Sequence, residues 1–283
     1  MFDPFQTFRW QLAHGRGLEL GPRGHLMAIV NVTPDSFSDG GVHDSTERAV
    51  AFAKSCIENG ASILDIGGES TRPGAATVSA DEEQARILPV IAALAAETDA
   101  IISVDTYRAQ TAGAAIRSGA HIINDVHGLQ REPDIAHVAA ETGAGLCIMH
   151  TGRDREKHAD VIADQYVFLE QSLEIAAAAG IGRESIVLDP GFGFAKDTEE
   201  NLLLMARFGE LLGLGSPILV GTSRKRFLGA VTGREAPERD VATAASTALL
   251  RMAGAAVFRV HDVAISRDAL LVADAMLAAG RIP

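Results

Sequence analysis

Cysteine is nearly absent: Cys56 and Cys147 are the only two in 283 residues. They lie far apart in apolar surroundings, which argues against a disulfide framework or thiolate metal site and for buried thiols in a reducing compartment. Basic clusters are scarce too. Lys and Arg number 25 against 37 Asp and Glu, a formal net charge of −12, so a phosphate-tracking nucleic-acid surface has little to be built from. Long apolar runs are missing as well. The longest charge-free run, Leu211 to Ser223, is broken by Gly213, Gly215 and Pro217 and is too short to span a bilayer. Arg9, Gln11, His14 and Arg16 interrupt the opening residues, so no signal-peptide core is expected and the chain reads as cytoplasmic.

What remains is an ordinary globular composition, 47% hydrophobic and 22% charged, with material for a sizeable core. Small substrates are the expected partners. In so acidic a chain the few cations are placed deliberately, which singles out Arg224-Lys225-Arg226 and Arg259.

Residues 1–24 are glycine-rich and read as an irregular segment, with Phe8 and Trp10 able to cover one end of a core. From residue 25 to 283 one pattern recurs: a short apolar run, a polar loop, then an amphipathic helix. The first run, His25 to Val30, leads into Asn31-Val32-Thr33-Pro34-Asp35-Ser36-Phe37-Ser38-Asp39-Gly40-Gly41, and a helix is expected from Asp44, with Glu47 completing a capping box. Ser62 to Ile66 leads into the loop Gly67-Gly68-Glu69-Ser70-Thr71-Arg72-Pro73-Gly74, and Ser79 with Glu82 caps the next helix.

Further runs end at Asp105, with a helix expected near Thr106, at Asn124-Asp125, at Met149-His150, at Asp189-Pro190-Gly191-Phe192-Gly193-Phe194, at Ser223-Arg224-Lys225 and at Arg259-Val260-His261-Asp262. Eight such units predict an α/β fold, a single-domain (β/α)8 TIM barrel behind a short N-terminal segment. A doubly wound open sheet is the rival. The barrel is preferred because polar residues end nearly every strand, whereas an open sheet gathers its ligands at one switch point.

On such a rim Asp105, Asn124, Asp189 and Lys225 suit a flat heterocycle with donor and acceptor edges, because carboxylates accept from ring N–H groups and an ammonium donates to a carbonyl. Asn31, Arg259 and His261, with backbone N–H groups of the glycine-rich loops, suit a phosphate ester or pyrophosphate accompanied by a divalent cation. Each residue also has a bland reading. An Asp or Asn after a strand is commonly a helix cap, and capping alone could account for Asp105; Gly67-Gly68 could be a plain turn. Two aromatics between glycines, Phe192 and Phe194, are harder to explain unless they cover something.

Together, Asn31 to Gly41, Asp65 to Gly74, Ser103 to Thr106, Ile123 to Asp125, Asp189 to Phe194, Ser223 to Lys225 and Arg259 to Asp262 resemble the signature segments of the dihydropteroate synthase family, in order and over nearly the whole chain. The resemblance implies a (β/α)8 barrel, a homodimer, Mg2+ and a transferase. That enzyme condenses 6-hydroxymethyl-7,8-dihydropterin diphosphate with 4-aminobenzoate, releases pyrophosphate, and is the target of sulfonamides. It assigns Asp105, Asn124, Asp189 and Lys225 to the pterin, Asn31 to the magnesium ion, and Thr71, Arg72, Arg259 and His261 to the diphosphate, with Asp65 in support. Asp35, Phe37, Arg72, Pro73, Phe194 and Ser223 would form the aminobenzoate pocket. After Met149-His150 the chain departs from the family's common Met-Gln-Gly and continues Thr151-Gly152-Arg153-Asp154-Arg155, which leaves the fifth loop without an assigned part.

The alternatives are a pterin-dependent methyltransferase, which has no need of a diphosphate clamp, and a pterin-binding paralogue without turnover. A Schiff-base aldolase using Lys225 lacks a paired acid and base. The alanine-rich helices expected over residues 240–251 and 264–279 permit close packing between subunits.

Overall fold

The computed structural model describes residues 2–33, 42–69 and 77–280. An antiparallel hairpin comes first, β1 (Phe8–Gln11) with β2 (Gly17–Leu20). Eight strands follow: β3 (His25–Asn31), β4 (Ile63–Gly67), β5 (Ile101–Asp105), β6 (Ile122–Asp125), β7 (Gly145–Met149), β8 (Ile186–Asp189), β9 (Leu219–Val220) and β10 (Val257–Val260). All neighbours among these eight run parallel, in the order β8-β7-β6-β5-β4-β3-β10-β9. A parallel bridge between Leu188 and Ile218 joins the two ends, so the sheet closes into a (β/α)8 barrel.

Helices α1 (Val42–Glu58), α2 (Ala80–Glu97), α3 (Ala109–Arg117), α4 (Asp134–Thr142), α5 (Val161–Ala178) and α6 (Thr198–Ala206) follow β3 to β8 in turn. Two helices, α7 (Arg226–Thr232) and α8 (Asp240–Met252), separate β9 from β10, and α9 (Val263–Ala279) ends the described chain. Ser79, Asp160, Asp197 and Asp262 each accept a backbone N–H at the start of a helix, satisfying donors that the first turn leaves open. No helix among the described residues is long and apolar enough to cross a membrane.

Because side chains alternate along a strand, the period of two sorts each strand between two environments. Leu26, Ala28, Val30, Leu64, Ile66, Ile102, Val104, Ile123, Leu146, Ile148, Leu188, Val220, Phe258 and Val260 join the helices in one outer core. The opposite parity forms a second cluster, with Met27, Ile63, Ile101, Ile122, Cys147, Val187, Leu219 and Val257 meeting Trp10, Leu12 and Leu20 of the N-terminal segment. Trp10 is fully buried and its indole N–H donates to the Ser185 carbonyl at 3.0 Å.

Three local expectations change. The N-terminal segment is ordered rather than irregular, because Phe8, Trp10, Leu18 and Leu20 alternate and the positive φ of His14 and Gly15 turns the chain between the strands. Helix α1 begins at Val42, ahead of Asp44. Helix α3 begins at Ala109, not near Thr106: the Thr106 hydroxyl accepts the Arg108 N–H at 3.2 Å in a short turn first.

Candidate active site

Further along the inward parity, beyond the apolar cluster, the side chains become polar. Asp65 stands two residues after Ile63, Asp105 two after Ser103, Asn124 two after Ile122, Asp189 two after Val187 and Arg259 two after Val257. Parity explains why Asn124 and its neighbour Asp125 differ. Asn124 faces inward and donates to Asp65 Oδ2 at 3.1 Å. Asp125 turns into the loop, where its carboxylate accepts the N–H groups of His127 and Leu129 at 2.8 and 2.7 Å, the bland turn-capping role.

Arg259 organises this layer. Its Nε donates to Asp65 Oδ2 at 2.6 Å and its Nη2 to Asp105 Oδ2 at 2.7 Å. Asp65 is fully buried and its other oxygen, Oδ1, has no hydrogen-bond partner among the described residues. Capping therefore does not account for Asp105: its carboxylate belongs to Arg259, and α3 starts elsewhere. Asn31 ends β3 beside it. A Cβ placed on Gly67 would lie 3.5 Å from Asp105 Cβ and 3.7 Å from both Asn31 Oδ1 and Asp105 Oδ2, so Gly67 keeps the space between these two side chains open.

Across the mouth, Asp189 Oδ1 accepts the Gly191 N–H at 2.7 Å. Only glycine fits there, since φ is +64° and a Cβ would come 1.9 Å from the His150 carbonyl oxygen. The loop splits its aromatics. Phe192 is core and stacks on Phe227 with ring centroids 6.0 Å apart. Phe194 is half-buried under two cations, Lys225 Nζ at 4.2 Å and Arg153 Cζ at 4.6 Å from the ring centroid.

Of the basic triplet only Lys225 joins the site. Arg224 is clamped by Asp240 through two contacts of 2.7 Å, and Arg226 is exposed. Ser223 and His261 meet at the next corner, with Oγ 2.9 Å from Nδ1 and the His261 N–H donating to Oγ at 3.1 Å.

Three carboxylates thus face two cations in a largely buried layer. Burial pushes Asp189 up to about 6, against the pull of the Gly191 N–H, Lys225, Arg259 and Lys196. Asp105 is also pushed up by burial, opposed by Arg259 and assisted by Asp65. Burial and the neighbouring Arg259 bring Lys225 down to about 8. Burial disfavours the charge on Arg259, but Asp65 and Asp105 outweigh it and hold the guanidinium firmly protonated. Perturbed groups converging on one mouth mark a functional site.

Asp35, Phe37, Thr71, Arg72 and Pro73 lie outside the described residues. Sequence reasoning missed a group next to the mouth: His150, Arg155, Asp164 and Lys196, joined by hydrogen bonds. The available signal was an Asp on the buried face of α5 and a lysine two residues past Phe194.

Comparison with known proteins agrees with this geometry. Residues 27–261 match the family model described as pterin binding enzyme. The chain is 46% identical to the dihydropteroate synthase of Bacillus subtilis (strain 168), covering 91% of this chain and 90% of that protein. It is 42% identical to that of Escherichia coli (strain K12), covering 94% and 96%. Among solved structures, the Clostridium difficile dihydropteroate synthase in the presence of pteroic acid superposes with a TM-score of 0.89 at 43% identity, covering 92% of this chain and 98% of that one. The Xanthomonas albilineans dihydropteroate synthase with 4-aminobenzoic acid gives 0.89 at 43% identity, covering 96% and 99%. With a matching family model across the barrel and relatives this similar over nearly their full length, the chain belongs to the pterin-binding enzymes and, within them, to the dihydropteroate synthase family.

Proposed function

We propose that this barrel mouth condenses 6-hydroxymethyl-7,8-dihydropterin diphosphate with 4-aminobenzoate to give 7,8-dihydropteroate and pyrophosphate. The observation that carries the reading is the inward layer itself, in which Asp65, Asp105, Asn124 and Asp189 surround Arg259, with Lys225 beside them. Asp105 and Asp189 accept from the pterin's ring N–H and amino groups, Asn124 can both donate and accept at that nitrogen edge, and Lys225 donates to its carbonyl. Arg259 spends two of its five N–H donors on carboxylates, which leaves donors for the diphosphate. His261, tethered by Ser223, serves the same diphosphate, and Thr71 and Arg72 of the second loop are assigned to it by the family resemblance. Asp35, Phe37, Arg72, Pro73, Phe194 and Ser223 form the aminobenzoate pocket.

The bond that breaks joins the pterin methylene to a diphosphate oxygen. The electron-rich dihydropterin pushes electrons toward that methylene, so the transition state is cation-like. Asp105 and Asp189 present negative charge to the ring where positive charge grows, while Arg259 and His261 stabilise the departing anion; both effects are electrostatic preorganisation. The arylamine is neutral at physiological pH and needs position rather than a general base.

Asn31 suits a Mg2+ ion that arrives with the diphosphate. It offers one neutral oxygen, and no group of three His, Cys, Asp or Glu able to hold a metal occurs among the described residues, so the substrate would supply most of the ligands. Bound there, the ion would neutralise charge on the leaving group.

Further proposals concern the surroundings. Residues 1–24 cover one end of the 25–283 barrel, and the two free buried cysteines favour the cytoplasm. A homodimer is supported by α8 and α9, which leave Val241, Leu249, Leu271, Val272 and Met276 more than half exposed.

The test is pyrophosphate release by the purified protein with Mg2+ and the pterin diphosphate, followed together with pteroate formation, with and without 4-aminobenzoate. Release coupled to pteroate formation is expected. Pterin binding without condensation would overturn the reading.

A further inference from the structure

The loop after β8 carries a lysine with no part in the chemistry above. Lys196 is half-buried, and its ammonium donates to the Gly191 carbonyl at 3.0 Å and to His150 Nδ1 at 2.9 Å. An ammonium only donates, so Nδ1 accepts, and His150 carries its proton on Nε2. That N–H points to Asp164 Oδ2 at 2.9 Å. Asp164 also receives Arg155 Nη1 at 3.0 Å, Arg155 Nη2 at 2.5 Å and the His158 N–H at 2.7 Å. Arg155 Nη2 lies 2.9 Å from His150 Nε2 as well, but both are donors in this arrangement and the carboxylate takes both hydrogens. Burial keeps His150 neutral, down to about 4.

The chain of contacts runs Arg155, Asp164, His150, Lys196, Gly191, and its last member holds Asp189 Oδ1 through its own N–H. The divergent fifth loop is therefore tied to the carboxylate at the mouth.

We propose that Lys196 is a positioning residue for Asp189: it pins the carbonyl of Gly191, the residue whose N–H orients the carboxylate, and it places a cation on the side of the anion that accepts from a pterin. This rests on the reading of Asp189 as a pterin ligand.

The groups facing this pair come from every neighbouring element. Asp189 sees Lys225 after β9, Arg259 on β10, Cys147 on β7 and Lys196 itself. Lys196 sees Asp189, His150 after β7, Asp164 on α5, Arg155 of the fifth loop and Glu200 on α6. Of these, Lys225 and Arg259 also favour the ionised carboxylate, so loss of Lys196 weakens that bias without abolishing it. Burial brings Lys196 down to about 7, with Asp189 its foremost attractive partner.

The test is calorimetric binding of 6-hydroxymethylpterin between about pH 5 and 8, a ligand without a diphosphate to titrate in the same window. Wild-type affinity is expected to fall as pH drops through about 6. In Lys196→Met and in Lys196→Gln, which keeps an N–H donor for Gly191 without the charge, that midpoint should move up by at least about half a pH unit. Lys196→Arg should keep the wild-type midpoint. Unmoved midpoints in the Met and Gln variants would overturn the inference and leave the site reading standing. Asp189→Asn is the control: it should bind at least about tenfold more weakly at pH 8 and lose the limb near pH 6. Wild-type binding in that variant would instead overturn the assignment of Asp189.

Discussion

Arg259 Nη2 donates to Asp105 Oδ2 at 2.7 Å while its Nε holds Asp65 at 2.6 Å, so one guanidinium joins the carboxylate assigned to the pterin to the side assigned to the diphosphate. In the proposed reaction, the negative charge that grows on the leaving group and the positive charge that grows on the ring would thereby meet one connected set of groups. Arg259→Met should lower kcat/KM for the pterin diphosphate by at least about a hundredfold. It also strands two buried carboxylates and should cost about 3–5 kcal/mol of folding stability, read by urea denaturation at pH 7.5. Near-wild-type turnover would break the link.

Asp189 makes the site a cost to folding at neutral pH. Its folded pKa of about 6 lies above the ordinary carboxylate value of 3.8, so its stabilising contribution is full below the unfolded value and is lost as pH rises through the folded one. Asp189→Asn should therefore be more stable than wild type at pH 8, by on the order of 1–3 kcal/mol, with the gap closing as pH falls toward 4. Thermal melts across that range decide it. The variant should fail to condense the substrates.

Lys225 sets the opposite limb. Its pKa of about 8 is depressed, so the ammonium of the ligand-free enzyme is lost as pH rises through that value. Because kcat/KM reports the free enzyme, it should decline on the alkaline side near pH 8. Lys225→Ala should abolish condensation in a folded protein. Lys225→Arg should be slower yet lose this limb, since a guanidinium stays charged; an unchanged limb would assign it to another group.

Ser223 was expected only in the aminobenzoate pocket, yet its hydroxyl also tethers His261, at 2.9 Å from Nδ1. Ser223→Ala should raise KM for aminobenzoate and also reduce kcat by about tenfold, equivalent to the loss of one hydrogen bond of about 1–1.5 kcal/mol. A change in KM alone would show that the tether is idle.

Arg251, far from the mouth, should behave differently from Arg259. Fully buried on α8, it holds Asp274 of α9 at 2.6 Å and the carbonyls of Gly21 and Ala255 at 2.7 and 3.1 Å. Arg251→Met should destabilise the fold by about 3–5 kcal/mol and leave KM for both substrates unchanged below the melting transition.

The amino-acid sequence by itself determined the barrel and the membership of its rim. Apolar runs ending in Asn31, Asp65, Asp105, Asn124, Asp189 and Arg259 carry both signals, because a parallel strand buried on both faces must be apolar until it reaches the mouth. Local pattern also carried the cap at Ser79, whose partner lies three residues on. Only the tertiary structure decided the partnerships. Arg259 meets Asp65 across 194 positions of sequence, and no periodicity encodes which carboxylate a cation will find. Strand parity separated Asn124 from Asp125, and the turn after β9, where Arg224 takes a positive φ of 56°, sent Arg224 to Asp240 while Lys225 faced Phe194. The fifth loop, silent as a string of charges, gained a place beside the mouth because Arg155 reaches Asp164, and through it His150 and Lys196, in space. Composition and period act along the chain, whereas hydrogen bonds and buried charges act through space, and closure of the barrel brings the two together.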